Sequence, residues 1–183
     1  MKRIILTVSA LLAFISLNAQ SVMTTNWPNG SKQSEGVVIG EIRIDPNASK
    51  SEQEKNLDAI IKDGKWTSWF EDGKVRSEEY YDKGKMIGEW KMFHENGQVE
   101  SVINFNTGKA IHYNKKGGIS SEGNMAAGMI QTGDWEGYHE NGTKNFKGSY
   151  NKEGKKDGVW IFWDEKGNVS GEQSFSNGTL IKK

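Results

Sequence analysis

The segment Gly88-Glu89-Trp90-Lys91-Met92-Phe93-His94-Glu95-Asn96-Gly97 decides how this chain is read, because it recurs. It returns at Gly133-Asp134-Trp135, ending His139-Glu140-Asn141-Gly142. Further copies start at Gly64-Lys65-Trp66 and Gly158-Val159-Trp160, and a worn copy without the tryptophan starts at Gly108-Lys109-Ala110. A fixed period of roughly two dozen residues marks a repeat array rather than a single-core domain. A glycine stands seven residues beyond each tryptophan position, at Gly73, Gly97, Gly117, Gly142 and Gly167. Asn-Gly or Asp-Gly between β-rich runs signals a tight hairpin, since a type I′ turn needs φ > 0 twice.

Each unit therefore predicts two strands. In the first, Trp66–Phe70 leads out, Asp72-Gly73 turns, and Val75–Tyr81 returns, with Lys83-Gly84 leading onward. Counted from each turn glycine, the even positions of the return strands hold Val75 and Tyr81; Val99, Ile103 and Phe105; Ile119 and Met125; Phe146 and Tyr150; Val169 and Phe175. Odd positions are mostly polar, the pattern of a strand with one buried and one wet face. A two-residue turn would pair Phe70 with Val75, Trp66 with Glu79 and Trp90 with Ile103. It would also set Trp135 against Gly148, Phe146 against Gly137 and Phe162 against Gly171, so that large residues cover glycines. The alternative is a three-residue turn with a bulge, which shifts pairing by one and exchanges the faces.

Upstream, Trp27-Pro28-Asn29-Gly30 is a half repeat, with Ser31–Val37 its returning strand and Val38–Ile44 a candidate edge strand. Ser51-Glu52-Gln53-Glu54 is a capping box, and Leu57, Ile60 and Ile61 follow at helical spacing. A short helix over Ser51–Lys62 is expected to cap the array, as terminal units of repeat proteins require.

Lys2 and Arg3, the apolar run Ile4–Leu17 and Asn18-Ala19-Gln20 have the layout of a secretory signal peptide cleaved after Ala19. An uncleaved anchor is the alternative, although the run is shorter than the roughly 18 residues a spanning helix needs. Residues 1–19 thus read as leader, 20–63 as half repeat and capping insertion, and 64–183 as five repeats, the third degenerate and the last truncated. Removing the leader takes two of the 24 basic residues and none of the 24 acidic ones, leaving a net charge near −2. That balance gives no electrostatic footprint for nucleic acid or anionic lipid. The chain has no cysteine, which excludes disulfides and thiol catalysis. Hydrophobic content of 34%, with 22 glycines and 10% aromatics, suits a thin sheet with many turns rather than a large helical core.

The pattern Gly-x-Trp-x-x-aromatic-x-x-Asn-Gly resembles the MORN repeat family, more closely its bacterial variant, over about Gly64–Lys183 and the half unit Trp27–Val37. The resemblance implies an extended, single-layer antiparallel sheet of successive hairpins, acting as a non-enzymatic scaffold or binding module. Many bacterial variants carry the label of YwqK-like antitoxins. For an exported chain, an immunity-type role outside the cytoplasm fits that label better.

The aromatic three residues past each tryptophan position is kept in every unit: Trp69, Phe93, Tyr113, Tyr138 and Trp163. In the two-residue register it faces away from the Val/Ile face, opposite Arg76, Glu100, Ser120, Asn145 and Ser170. It is the candidate binding site, an exposed stripe for a partner protein or for stacking on sugar rings. A second packed face is the alternative. Trp66, Trp90, Trp135 and Trp160 and the turn glycines read as structural. His94 and His139 lie four strands apart, roughly 19 Å at 4.8 Å per strand, with His112 about 10 Å from either, so no ion can be shared. No metal, cofactor or catalytic motif is expected: there is no Gly-x-Ser-x-Gly elbow, His-Glu-x-x-His or phosphate loop. An acidic pair could still meet across strands. Partners are expected to be protein or glycan, met in the periplasm, on the outer surface or in the medium.

Overall fold

A computed structural model describes residues 2–6, 20–40 and 61–182. The described residues are all-β, in antiparallel hairpins, and divide into two compact units, Met1–Ile87 and Gly88–Lys183. The first holds β1 (Lys2–Leu6), β2 (Ser21–Asn26), β3 (Lys32–Ile39), β4 (Ile61–Trp69), β5 (Val75–Asp82) and β6 (Lys85–Met86). They form an open sheet in chain order, with β6 paired to β5 and β1 parallel to β2. The second holds β7 (Glu89–Phe93), β8 (Val99–Asn104), β9 (Lys109–Tyr113), β10 (Ile119–Ala126), β11 (Ile130–Tyr138), β12 (Lys144–Tyr150), β13 (Lys156–Trp163), β14 (Val169–Ser176) and β15 (Thr179–Lys182). These also lie in chain order, all antiparallel.

The expected capping helix over Ser51–Lys62 lies outside the described residues, except Ile61 and Lys62, which open β4. The candidate edge strand Val38–Ile44 is corrected: Val38 and Ile39 complete β3, which sits between β2 and β4. Residues 41–60 lie outside the described set.

The turns depart from the two-residue expectation. Phe70 N–H bonds Lys74 O at 2.8 Å and Gly73 N–H bonds Phe70 O at 2.9 Å, closing a three-residue turn, Glu71-Asp72-Gly73. The same pair of bonds recurs at His94, Asn114, His139 and Asp164, and at Trp27. Only the glycine has φ > 0, +86° at both Gly73 and Gly97, so these are type I turns closed by a glycine bulge rather than type I′ turns. Asn96 and Asp72 instead accept the backbone N–H two residues on, each at 3.0 Å. That side-chain bond fixes the turn without a left-handed Asn or Asp. Two-residue turns with both φ positive occur at the opposite edge, at Lys83-Gly84 and Asn177-Gly178.

A turn bulge alone would exchange the faces of every return strand. A second bulge two residues later cancels it. Trp69 pairs with Val75, but Ser68 pairs with Ser77, leaving Arg76 as the extra residue. The same step leaves out Glu100, Ser120, Asn145 and Ser170. The expected pairs Trp66–Glu79, Trp90–Ile103, Trp135–Gly148, Gly137–Phe146 and Phe162–Gly171 therefore form. Phe70 does not pair with Val75. The ladder aromatics pair with Val75, Val99, Ile119, Lys144 and Val169 instead of the five bulged residues. Val75, Val99, Ile119 and Val169 are thus moved off the tryptophan face, as is Lys144 in the fourth hairpin.

In each unit the core is built from aromatics on one sheet face. Trp66, Trp90, Trp135 and Trp160 are buried, the last two only 1% and 2% exposed. A thin sheet hides an indole by laying it flat over a glycine. An ideal Cβ on Gly36 would stand 2.2 Å from the Trp66 ring, one on Gly123 2.3 Å from Trp135, and one on Gly148 2.2 Å from Trp160. Trp66, Trp135 and Trp160 each lean onto the preceding return strand, six residues past its turn glycine. This corrects two expected glycine covers: Trp160, not Trp135, covers Gly148, and Gly171 lies open. Phe146 covers Gly137, as expected. The indole N–H then reaches the next backbone carbonyl: Trp66 to Val37 at 2.8 Å and Trp135 to Asn124 at 3.1 Å.

The worn copy obeys the same volume rule in reverse. At its tryptophan position stands Ala110, 1% exposed, and its Cα partner on β8 is Ile103, fully buried. A large residue on the return strand fills the space that the missing indole leaves. Met125 and Trp135 complete this cluster, with Met92, Phe105, Phe146 and Tyr150 packed around it. Lysines close the faces of two tryptophans: Lys62 Nζ lies 4.6 Å from Trp66 and Lys156 Nζ 4.1 Å from Trp160.

Candidate functional site

The aromatic ladder closes each outgoing strand. Trp69 ends β4, Phe93 ends β7, Tyr113 ends β9, Tyr138 ends β11 and Trp163 ends β13. Each stands three residues past the tryptophan position, so alternation sends it to the face opposite the buried indoles. None of the five is buried, and each keeps part of its ring in solvent. Four of their cross-strand partners are β-branched, and Ile119 and Val169 are exposed at 39% and 65%. In the second unit, successive ladder rings lie two strands apart, about 10 Å.

The ladder is edged with paired charge. Lys32 Nζ sits 5.5 Å from the Trp69 ring and Lys144 Nζ 5.7 Å from Trp163. Tyr138 Oη donates to Glu122 Oε1 at 2.8 Å and lies 3.4 Å from Glu136 Oε2. Glu122 and Glu136 are direct cross-strand partners, the meeting of carboxylates that the sequence left open. Lys144 and Lys147 reach Glu136 at 3.0 and 3.1 Å. Their hydrogen bonds hold the Glu136 carboxyl below its ordinary pKa. It is an ionised acceptor, the opposite of the raised carboxylic acid a glycosidase proton donor needs. The bond to Glu122, then burial, push the Tyr138 phenol up to about 12. Sequence reasoning missed this cluster because a bulge brings Lys144 to the ladder's face and Glu122 meets Glu136 across a strand pair between successive hairpins.

Each histidine is engaged within the sheet. His94 Nε2 donates to Tyr113 O at 3.0 Å and His139 Nε2 to Trp163 O at 2.9 Å, since a carbonyl can only accept. Trp27 Nε1 makes the equivalent bond to Trp69 O at 3.1 Å. The turn asparagines do the same one step further out: Asn29 to Glu71 O, Asn96 to Lys115 O and Asn141 to Glu165 O. Where the asparagine is replaced, Lys116 bridges to Glu140 at 2.6 Å. Consecutive turns are thus tied together. The signal was present in the sequence, in the repetition of His-Glu-Asn-Gly. His112 stacks on Trp135 at 5.5 Å between centroids, and burial lowers its pKa against the opposing pull of Glu100.

These features define a tandem hairpin repeat protein with a tryptophan-lined core on one face and a partly exposed aromatic stripe on the other. The MORN repeat variant family matches at residues 62–83, 86–107, 131–152 and 156–177. The chain carries four MORN-variant repeats, an array of the kind that serves as a binding scaffold. The worn unit around Ala110 falls between the second and third matches. No curated protein matches the chain.

Proposed function

We propose that this chain is an exported, non-enzymatic binding scaffold that engages a partner protein through the ladder face. The observation that carries the reading is the stripe of Phe93, Tyr113, Tyr138 and Trp163, partly exposed and paired largely with β-branched residues. Aromatics on a rigid backbone supply contact area with little conformational entropy to lose, which suits them to protein interfaces. The charged groups beside them are already paired, giving the stripe a polar rim. Export follows from the leader-like residues 1–19, with residues 20–63 as an N-terminal half repeat and insertion and 64–183 as the working array. An immunity-type role is the finer reading that this location and repeat family favour.

The test is capture from envelope and secreted fractions with the processed chain, repeated with Tyr138→Ala and Trp163→Ala. A specific protein retained by the parent and lost in folded variants is the expected result. Equal capture by parent and variants refutes the ladder as the binding surface. The ring spacing of about 10 Å favours a second reading, an extended polysaccharide stacked along the rings. It predicts tryptophan fluorescence changes with soluble glycans that Trp163→Ala removes, and a silent response across a broad panel ends it.

A further inference from the structure

Among the described strand pairs, one is parallel. β1 lies alongside β2 from Lys2 opposite Ser21 to Leu6 opposite Thr25. Residues 2–6 fall inside the leader-like segment, so a chain processed after Ala19 loses β1 and keeps β2. The edge that β1 covers is unguarded. Ser21-Val22-Met23-Thr24-Thr25-Asn26 carries no charge and no proline, and three of its six residues are β-branched. Natural edge strands are commonly blunted by lysine, proline or a bulge. β2 is also built like an inner strand: Ser21, Met23 and Thr24 are buried, and the Ser21 hydroxyl has no hydrogen-bond partner.

We propose that the outer edge of β2 is a strand-acceptor site, filled by β1 before processing and by an extended, β-branched segment of a partner protein afterwards. The incoming segment runs parallel to β2, as β1 does. Main-chain hydrogen bonds along the five paired positions supply the affinity. A second copy of this chain is the less suited occupant: β2 against β2 would repeat an uncharged pair with nothing to set register. The proposal rests on the exported, protein-binding reading and adds a mode of engagement away from the ladder.

A synthetic peptide of residues 2–9 serves as probe, with hydrogen exchange of the β2 amides as readout. Three proteins are compared: full-length chain, full-length Ile4→Pro, and the chain starting at Gln20. The expected result is protected β2 amides in the full-length chain and faster exchange in the other two. Peptide at ten times its Kd then slows that exchange about tenfold. Val22→Lys in the chain starting at Gln20 should abolish the peptide effect, whereas the uncharged Val22→Thr retains it, separating edge chemistry from misfolding. β2 amides already protected without peptide in a monomer, a dimer that excludes the peptide, or no protection at saturating peptide would each overturn the proposal. N-terminal sequencing of the protein from cells tests the export reading separately. Peptide binding by the chain starting at Gln20 stands or falls whatever that sequencing shows.

Discussion

Replacing Gly148 by alanine tests the packing rule that holds this array together. The new Cβ would meet three Trp160 ring atoms at 2.2 to 2.6 Å, well inside van der Waals contact. In a strand with open space, glycine to alanine stabilises by about 0.5–1 kcal/mol through chain entropy. Here the indole must shift by more than 1 Å, and overpacking of this kind costs about 1–3 kcal/mol. The upper bound is loss of the indole from its site, about 3–5 kcal/mol as for Trp160→Ala. A net loss of about 2–3 kcal/mol is expected. The compensating pair is already present in the chain, since Ile103 faces Ala110 where three other tryptophan positions have Gly and Trp. The double variant Gly148→Ile with Trp160→Ala should therefore recover at least 2 kcal/mol relative to the sum of the single changes. Urea unfolding followed by far-ultraviolet circular dichroism measures the parent, Gly148→Ala, Gly148→Ile, Trp160→Ala and the double variant, because Trp160 itself cannot serve as the reporter. A neutral Gly148→Ala, or a double variant that is simply additive, would refute the volume rule.

Three further outcomes follow from the same geometry. Burial lowers the folded-state pKa of His112, so the unfolded chain takes up its proton first; its contribution is intact above about pH 6.5 and is lost as pH falls below that, and His112→Phe should flatten this acid limb of a stability–pH profile. Tyr138 titrates at about 12 against about 10 when unfolded, so its contribution holds below pH 10 and is lost as pH rises through 12; Glu122→Gln should bring the titration measured by ultraviolet absorbance back toward 10. Gly142 holds φ +83° with nothing within 4 Å of an added Cβ, so Gly142→Ala should cost about 1–2 kcal/mol through backbone conformation alone, and Gly142→Asn distinctly less, in the same unfolding assay.

The resemblance of the units made the strands, the buried tryptophans and the long-range pairings legible, because a hairpin array is a local architecture. Period-two alternation and a turn glycine fix which residues can meet. The register beyond the turns is the one alternation requires, although the turns are of the bulged, three-residue kind. Asn-Gly pointed to a type I′ turn, and the protein uses a type I turn with a glycine bulge and a compensating bulge two residues on. Two one-residue steps of opposite sense cancel beyond Ser68 and Ser77. Only the short stretch between them is displaced, which is why Val75, Val99, Ile119 and Val169 join the ladder face.

By itself, then, the sequence determined the repeat, the strand order in each unit, the tryptophan face and the aromatic in every copy. Those features depend on residues within one hairpin. Tertiary structure alone decided which glycine lies under which indole, why Ala110 is tolerated beside Ile103, and that Glu122, Glu136 and Tyr138 converge with Lys144 and Lys147. These depend on contacts between strands, where a bulge of one residue redirects a side chain to the opposite face and no local pattern records the change.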